Sequence, residues 1–111
     1  MIHLVLRANQ IAGVYFLFLR RHLVYIGQSS CCLRRLGQHR DRGMVFDEVI
    51  IIEGASWDIS DVETYYVTML KPPRNNYKKK MAYPKLQELA ELYGLFHLPK
   101  GYEVGEPPDE V

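Results

Sequence analysis

Along the 111-residue chain the apolar positions fall into short blocks separated by charged or turn-forming residues, and the period within each block predicts its conformation. Gly13 to Leu19 (GVYFLFL) is apolar at every position and rich in aromatic and β-branched residues. This predicts a strand with two apolar faces, Val14, Phe16 and Phe18 on one and Tyr15, Leu17 and Leu19 on the other. A sheet apolar on both faces needs cover on both sides, which helices would supply. Leu23 to Gln28 predicts a second strand. The polar turn Arg20-Arg21-His22 would join the two as a β-hairpin, although it holds neither Gly nor Asn.

Either Ser29 or Ser30 can cap a helix running to about Arg40, with Cys32, Leu33 and Leu36 in one apolar stripe. Val45 to Ile52 (VFDEVIII) predicts a third strand. Ser60 to Leu70 predicts a second helix, opened by the capping-box pattern Ser60-Asp61-Val62-Glu63 and stopped by Pro72-Pro73. A basic loop, RNNYKKK, follows. Lys85 to Tyr93 predicts a third helix between Pro84 and Gly94. These elements predict one α/β (α+β) domain over residues 1–100, a small, largely antiparallel three-stranded sheet flanked by helices. Its core would lie in 13–77, with an extra C-terminal helix at about 84–94. Residues 101–111, acidic and rich in Pro and Gly, predict a disordered tail.

Composition narrows the setting. The chain is 48 % apolar and 24 % charged, which suits a soluble globular protein with one modest core. No apolar run is long enough to span a membrane. The opening MIHLVL is followed at once by Arg7, Asn9 and Gln10 and lacks the form of a signal peptide. Cys31 and Cys32 are adjacent and have no third cysteine to pair with, so the expected setting is reducing: intracellular and cytoplasmic. Net charge is only +1, but it is unevenly spread. All 14 Lys and Arg lie in residues 1–100 with nine of the acids, giving that body +5, while Glu103, Glu106, Asp109 and Glu110 give the tail −4. A basic body suits a polyanion, whose affinity comes chiefly from phosphate contacts.

Several residues carry candidate chemistry, and each taken singly has an ordinary structural explanation. Arg35 and His39 are i and i+4 on the first helix; they are a solvated arginine and a boundary histidine, or a guanidinium clamping a phosphate beside an imidazole that trades a proton. Glu63 is a capping-box carboxylate, or one hard ligand holding Mg²⁺ against a phosphate. Asn75 is a turn residue, or a group orienting that carboxylate or a phosphate. Tyr15 and Tyr25 are half-buried strand aromatics, Gly27 a strand-end glycine, and Trp57 a packing residue.

Their order and spacing say more. GVY at Gly13–Tyr15, YIG at Tyr25–Gly27, then Arg35, His39, Glu63 and Asn75 closely resemble the GIY-YIG endonuclease family over Gly13 to about Tyr77. The chain departs from that pattern by Val14 in the first triplet and by Cys31 where an Asn is common at the helix start. The resemblance implies a small sheet flanked by helices and metal-dependent hydrolysis of DNA phosphodiesters with Mg²⁺ (or Mn²⁺). It implies that Tyr15 acts as general base or orients the attacking water, and that Tyr25 supports it. Arg35 would neutralise charge on the scissile phosphate and His39 would relay a proton. Glu63 would be the only protein ligand of the metal, and Asn75 would position the phosphate or the metal-bound carboxylate. Free tyrosine has a pKa of about 10, so a phenol acting as base needs help from the metal, from Arg35 or from His39. Arg34, Lys71, Arg74, Lys78, Lys79 and Lys80 are the expected DNA-backbone contacts. The alternative is a non-catalytic nucleic-acid-binding module of the same fold; a structural domain whose triplets coincide by chance is the other. A double-strand break would need a homodimer or a second visit by one active site, and with no DNA-reading motif in view a specificity-providing partner is one of the ways such a core could choose its target.

Overall fold

The doubly apolar block forms the centre of the sheet in the computed structural model, which describes residues 11–53, 59–75, 87–88, 91 and 97–108. Strand β1 (Gly13–Leu19) pairs antiparallel with β2 (His22–Ser29) on one side and with β3 (Glu48–Glu53) on the other. A fourth strand, β4 (Glu103–Val104), lies parallel to β2, so the order is β3-β1-β2-β4. The molecule is therefore a small mixed α+β domain with a four-stranded sheet, not the expected three-stranded one. The added strand comes from the segment whose composition predicts disorder: Glu103 N–H donates to Arg21 O at 3.1 Å and Gly105 N–H to Leu23 O at 3.0 Å. Short local sequence cannot reveal such a strand, because its stability is borrowed from the edge it joins.

Helix α1 (Cys32–Asp41) covers one face and α2 (Ile59–Leu70) the other. Under α2 lie Val14, Phe16, Phe18, Leu23 and Ile26, packed on Val62, Tyr65, Tyr66 and Val67. Phe16 meets Tyr66 edge-on, with ring centroids 5.3 Å apart. On the α1 face Tyr15, Leu17 and Val24 pack with Cys32 and Phe46, joined by Tyr25, Leu36, Val49 and Ile51. The third strand starts at Glu48 rather than Val45: Phe46 turns into the core, and Asp47 N–H donates to Phe18 O at 2.9 Å instead of continuing the ladder. In the expected α1 stripe Cys32 is buried and Leu36 packs on the core, but Leu33 is exposed. No helix among the described residues is long and apolar enough to cross a membrane. Of the predicted third helix, Gln87, Glu88 and Glu91 are helical, and the rest lies outside the described residues, as do Trp57, Tyr77 and Lys78 to Lys80.

Two local features set up the site. The hairpin turn is Arg20-Arg21 alone, both at positive φ (47° and 64°), with Leu19 paired to His22. That is the geometry of a type I′ turn, which usually takes Asn-Gly, and here two arginines hold it under strain. Asp47 compensates by accepting the Arg20 N–H at 3.1 Å, and the His22 ring nitrogen Nδ1 lies 2.9 Å from Arg20 O. Further along, Leu17 pairs with Tyr25 but Phe18 pairs with Leu23, so Val24 is an extra residue in β2. This bulge sets Val24 and Tyr25, neighbours in sequence, on the same α1 face. It also turns the Val24 carbonyl to the open edge of β2, where it accepts the Arg74 N–H at 2.9 Å.

Candidate functional site

The α1 face of the hairpin brings Tyr15 and Tyr25 within 6.3 Å, centroid to centroid, and α1 lays His39 against both, 5.7 Å from Tyr15 and 5.0 Å from Tyr25. Gly27 makes room for this group. It is the direct cross-strand partner of Tyr15, and the Tyr15 ring lies over its bare Cα. A Cβ built there would sit 2.7 Å from Tyr15 Cε2 and closer still to Cζ and Oη. Gly13, the other glycine of the two triplets, is required for a different reason: its missing Cβ would collide with the Ile52 carbonyl of β3.

Tyr15 and His39 are both buried, and Tyr15 Oη lies 2.7 Å from His39 Nε2. Burial, with the neighbouring Tyr25, pushes the Tyr15 phenol far above its ordinary range, while the Arg35 charge pulls the other way. Burial, then the charges of Arg35 and Arg42, push His39 below its ordinary range. At neutral pH both groups are therefore neutral. The His39 tautomer sets the direction of this bond: with the ring proton on Nδ1, the Tyr15 O–H donates to Nε2. Burial also raises the Tyr25 phenol, and so does the charge of Glu63; Arg35 opposes both. Glu63 on α2 is thus electrostatically joined to Tyr25.

Tyr25, Arg35, His39, Arg42, Met44, Val45 and Arg74 line an open cleft of about 540 Å³. Arg35 donates from Nη1 to Gln38 Oε1 at 3.0 Å along its own helix. Arg42, not among the expected site residues, enters the cleft as the third member of an i, i+4, i+7 stripe with Arg35 and His39, and that spacing is readable in the sequence. Arg40, between them, instead stacks on Phe46, 4.5 Å from the ring centroid.

The structure revises two expected roles. Glu63 is not a capping-box residue: Ile59, ahead of Ser60, is already helical, and the Ser60 hydroxyl exchanges hydrogen bonds with Gln28 (2.9 and 3.2 Å). Asn75 does not face the cleft with a spare amide. Its Oδ1 accepts from Ile26 N–H at 2.8 Å and its Nδ2 donates to Ile26 O at 2.7 Å, so it works like a short strand clamping β2 one residue after Tyr25. Arg34 is exposed and lines a separate polar hollow of about 410 Å³ with Gln28, Ser29, Ser30, Cys31, Arg35 and Gln38. Lys71 is exposed at the end of α2 at φ 51°, and Arg74 sits at the cleft rim.

Among the described residues there is no group of three or more His, Cys, Asp or Glu able to cage a metal ion. What the site offers is one carboxylate, Glu63, near a phenol. That donor set does not fit zinc, which takes three or four protein ligands. It fits Mg²⁺ or Mn²⁺ held by one carboxylate, with water and a phosphate completing the shell. No family model, curated protein or solved structure matches this chain.

Proposed function

We propose that this protein is a metal-dependent DNA endonuclease of the GIY-YIG type. The observation that carries the reading is convergence. Tyr25, Arg35 and His39 line one basic, open cleft; Tyr15 is buried against Tyr25 and His39, and the charge of Glu63 on α2 reaches Tyr25. A packing role alone does not require three cationic or titratable groups of this kind beside two phenols.

The chain's own residues divide the work as follows. Arg35 and Arg42 neutralise a phosphodiester lying in the cleft and stabilise the charge that builds on it during attack. Tyr25, the phenol that lines the open cleft, orients the attacking water. Tyr15 and His39 take up its proton together: as Tyr15 Oη accepts it, the phenol's own proton passes to His39 Nε2, 2.7 Å away. No free phenolate is needed, which matters because burial disfavours one. Asn75 keeps Tyr25 in place through Ile26. Glu63 would hold the divalent cation, which would supply charge stabilisation to the departing oxygen.

The test is nicking of supercoiled plasmid with Mg²⁺, with Mn²⁺ and with chelator. Arg35→Ala, Glu63→Ala and Tyr25→Phe should each lower the rate about 10²–10³-fold with the fold intact. Metal-independent nicking, or full activity in Glu63→Ala, would refute the reading. A non-catalytic DNA-binding module is the second reading, favoured by the burial of Tyr15, which does not line the cleft. Salt-sensitive binding with no cleavage under any metal would select it.

A further inference from the structure

The acidic segment after Tyr102 lies against the basic rim of the cleft. Glu106 meets Arg74 with both oxygens, Arg74 Nε to Oε2 at 2.9 Å and Nη2 to Oε1 at 2.8 Å. A planar guanidinium gripping two oxygens is the geometry by which arginine also takes a phosphate. Arg74 lines the cleft with Tyr25, Arg35, His39 and Arg42, so this carboxylate holds a cation at the cleft's rim. The contact with Arg74 holds the Glu106 carboxyl below its ordinary range, so it stays ionised. Arg20 Nη2 donates to Pro108 O at 2.9 Å, which draws a second cation to the same segment.

The anchoring of the segment is graded. Tyr102 is rooted: it meets Phe18 edge-on at 5.3 Å and donates to Glu48 Oε2 at 2.6 Å. Beyond it, β4 is two residues long, Val104 and Glu106 are exposed, and Gly105 sits at φ 131°, open to re-aiming because it has no side chain. Pro107 is buried and keeps the strap seated. The Glu106 carboxylate is half exposed, so solvent and salt screen the pair and a polyanion carrying many phosphates can compete with it for Arg74.

We infer that residues 103–108 are an autoinhibitory strap, in which Glu106 stands in for a backbone phosphate on Arg74 and must leave before a nucleic-acid strand can run from the cleft across Arg74 and Arg20. The strap rests on the nucleic-acid part of the proposed function and not on catalysis. It predicts that releasing the segment adds a phosphate contact without altering the Tyr15–His39 group.

Fluorescence anisotropy of a labelled oligonucleotide duplex, titrated in chelator with the full chain, tests it. Glu106→Gln should bind about three- to tenfold tighter at low salt, and the slope of log K against log salt should steepen by about 1. Arg74→Ala should bind more weakly than the unaltered chain and should erase the gain of Glu106→Gln when the two are combined. Binding by Glu106→Gln that is equal to or weaker than the unaltered chain, with thermal stability retained, overturns the strap and makes Glu106 a positioning residue for Arg74. If the unaltered chain still binds and nicks DNA in that case, the proposed function stands without the strap. No binding by any of these proteins overturns both, whereas binding gained only in Glu106→Gln supports the strap in its strongest form.

Discussion

Replacing Gly27 with alanine tests the reason the two tyrosine triplets pair as they do. The new Cβ would lie within 2.7 Å of Tyr15 Cε2 and nearer to Cζ and Oη, against 3.4 Å or more for ordinary contact. The Tyr15 ring has little room to yield, since it is 1 % exposed and packed among Leu17, Val24 and Cys32. Forcing it aside costs about 1–3 kcal/mol of overpacking. Displacing its hydroxyl from His39 costs about 0.5–1.5 kcal/mol more. A total of roughly 1.5–4.5 kcal/mol is a large part of the 5–15 kcal/mol typical of a domain, and corresponds to a melting point lower by roughly 6–20 °C. Urea denaturation followed by circular dichroism gives the first figure. The same substitution in a Tyr15→Leu background should cost under about 1 kcal/mol, a coupling that isolates the phenol as the obstacle. A Gly27→Ala variant as stable as the parent, or one equally destabilised in both backgrounds, would refute the packing argument.

Burial and the adjacent arginines favour neutral His39 in the folded state, so its folded pKa lies below the ordinary 6.5. The stability this contributes is present above about pH 6.5 and is lost as the pH falls through the folded pKa; ring-nitrogen NMR should show Nδ1–H and a midpoint below 6.5, and a midpoint at or above it would contradict the site electrostatics. Exchanging Arg20-Arg21 for Asn-Gly relieves two left-handed residues and should raise stability by about 1 kcal/mol in thermal denaturation while weakening duplex binding in anisotropy. Lys71→Gly, at φ 51° on the end of α2, should stabilise by about 1 kcal/mol in the same melt.

What the sequence revealed of the fold depended on how local each cause is. β1 is legible to the residue because GVYFLFL has no polar position at which another conformation could compete, and its two apolar faces announce a helix on each side. The β2 bulge is not legible, since it exists only in the register between strands. β4 is not legible either: Glu103-Val104 has no pattern of its own, and what holds it is the β2 edge and the anchoring of Tyr102 to Phe18 and Glu48.

The same distinction runs through the site. Residue types and spacing single out Tyr15, Tyr25, Arg35 and His39, because a helix phase and a hairpin register fix where they meet. What each side chain does there depends on partners far away in sequence. Asn75 was a candidate for touching phosphate, yet Ile26 engages both ends of its amide. Arg74 was a candidate for touching phosphate, and Glu106 occupies it. Both sit on the turn after α2, which closes the open edge of β2 next to Tyr25: Arg74 N–H on Val24 O, then Asn75 on Ile26. Arg74, which holds Glu106, and Asn75, which holds β2 beside Tyr25, are therefore neighbours on one turn.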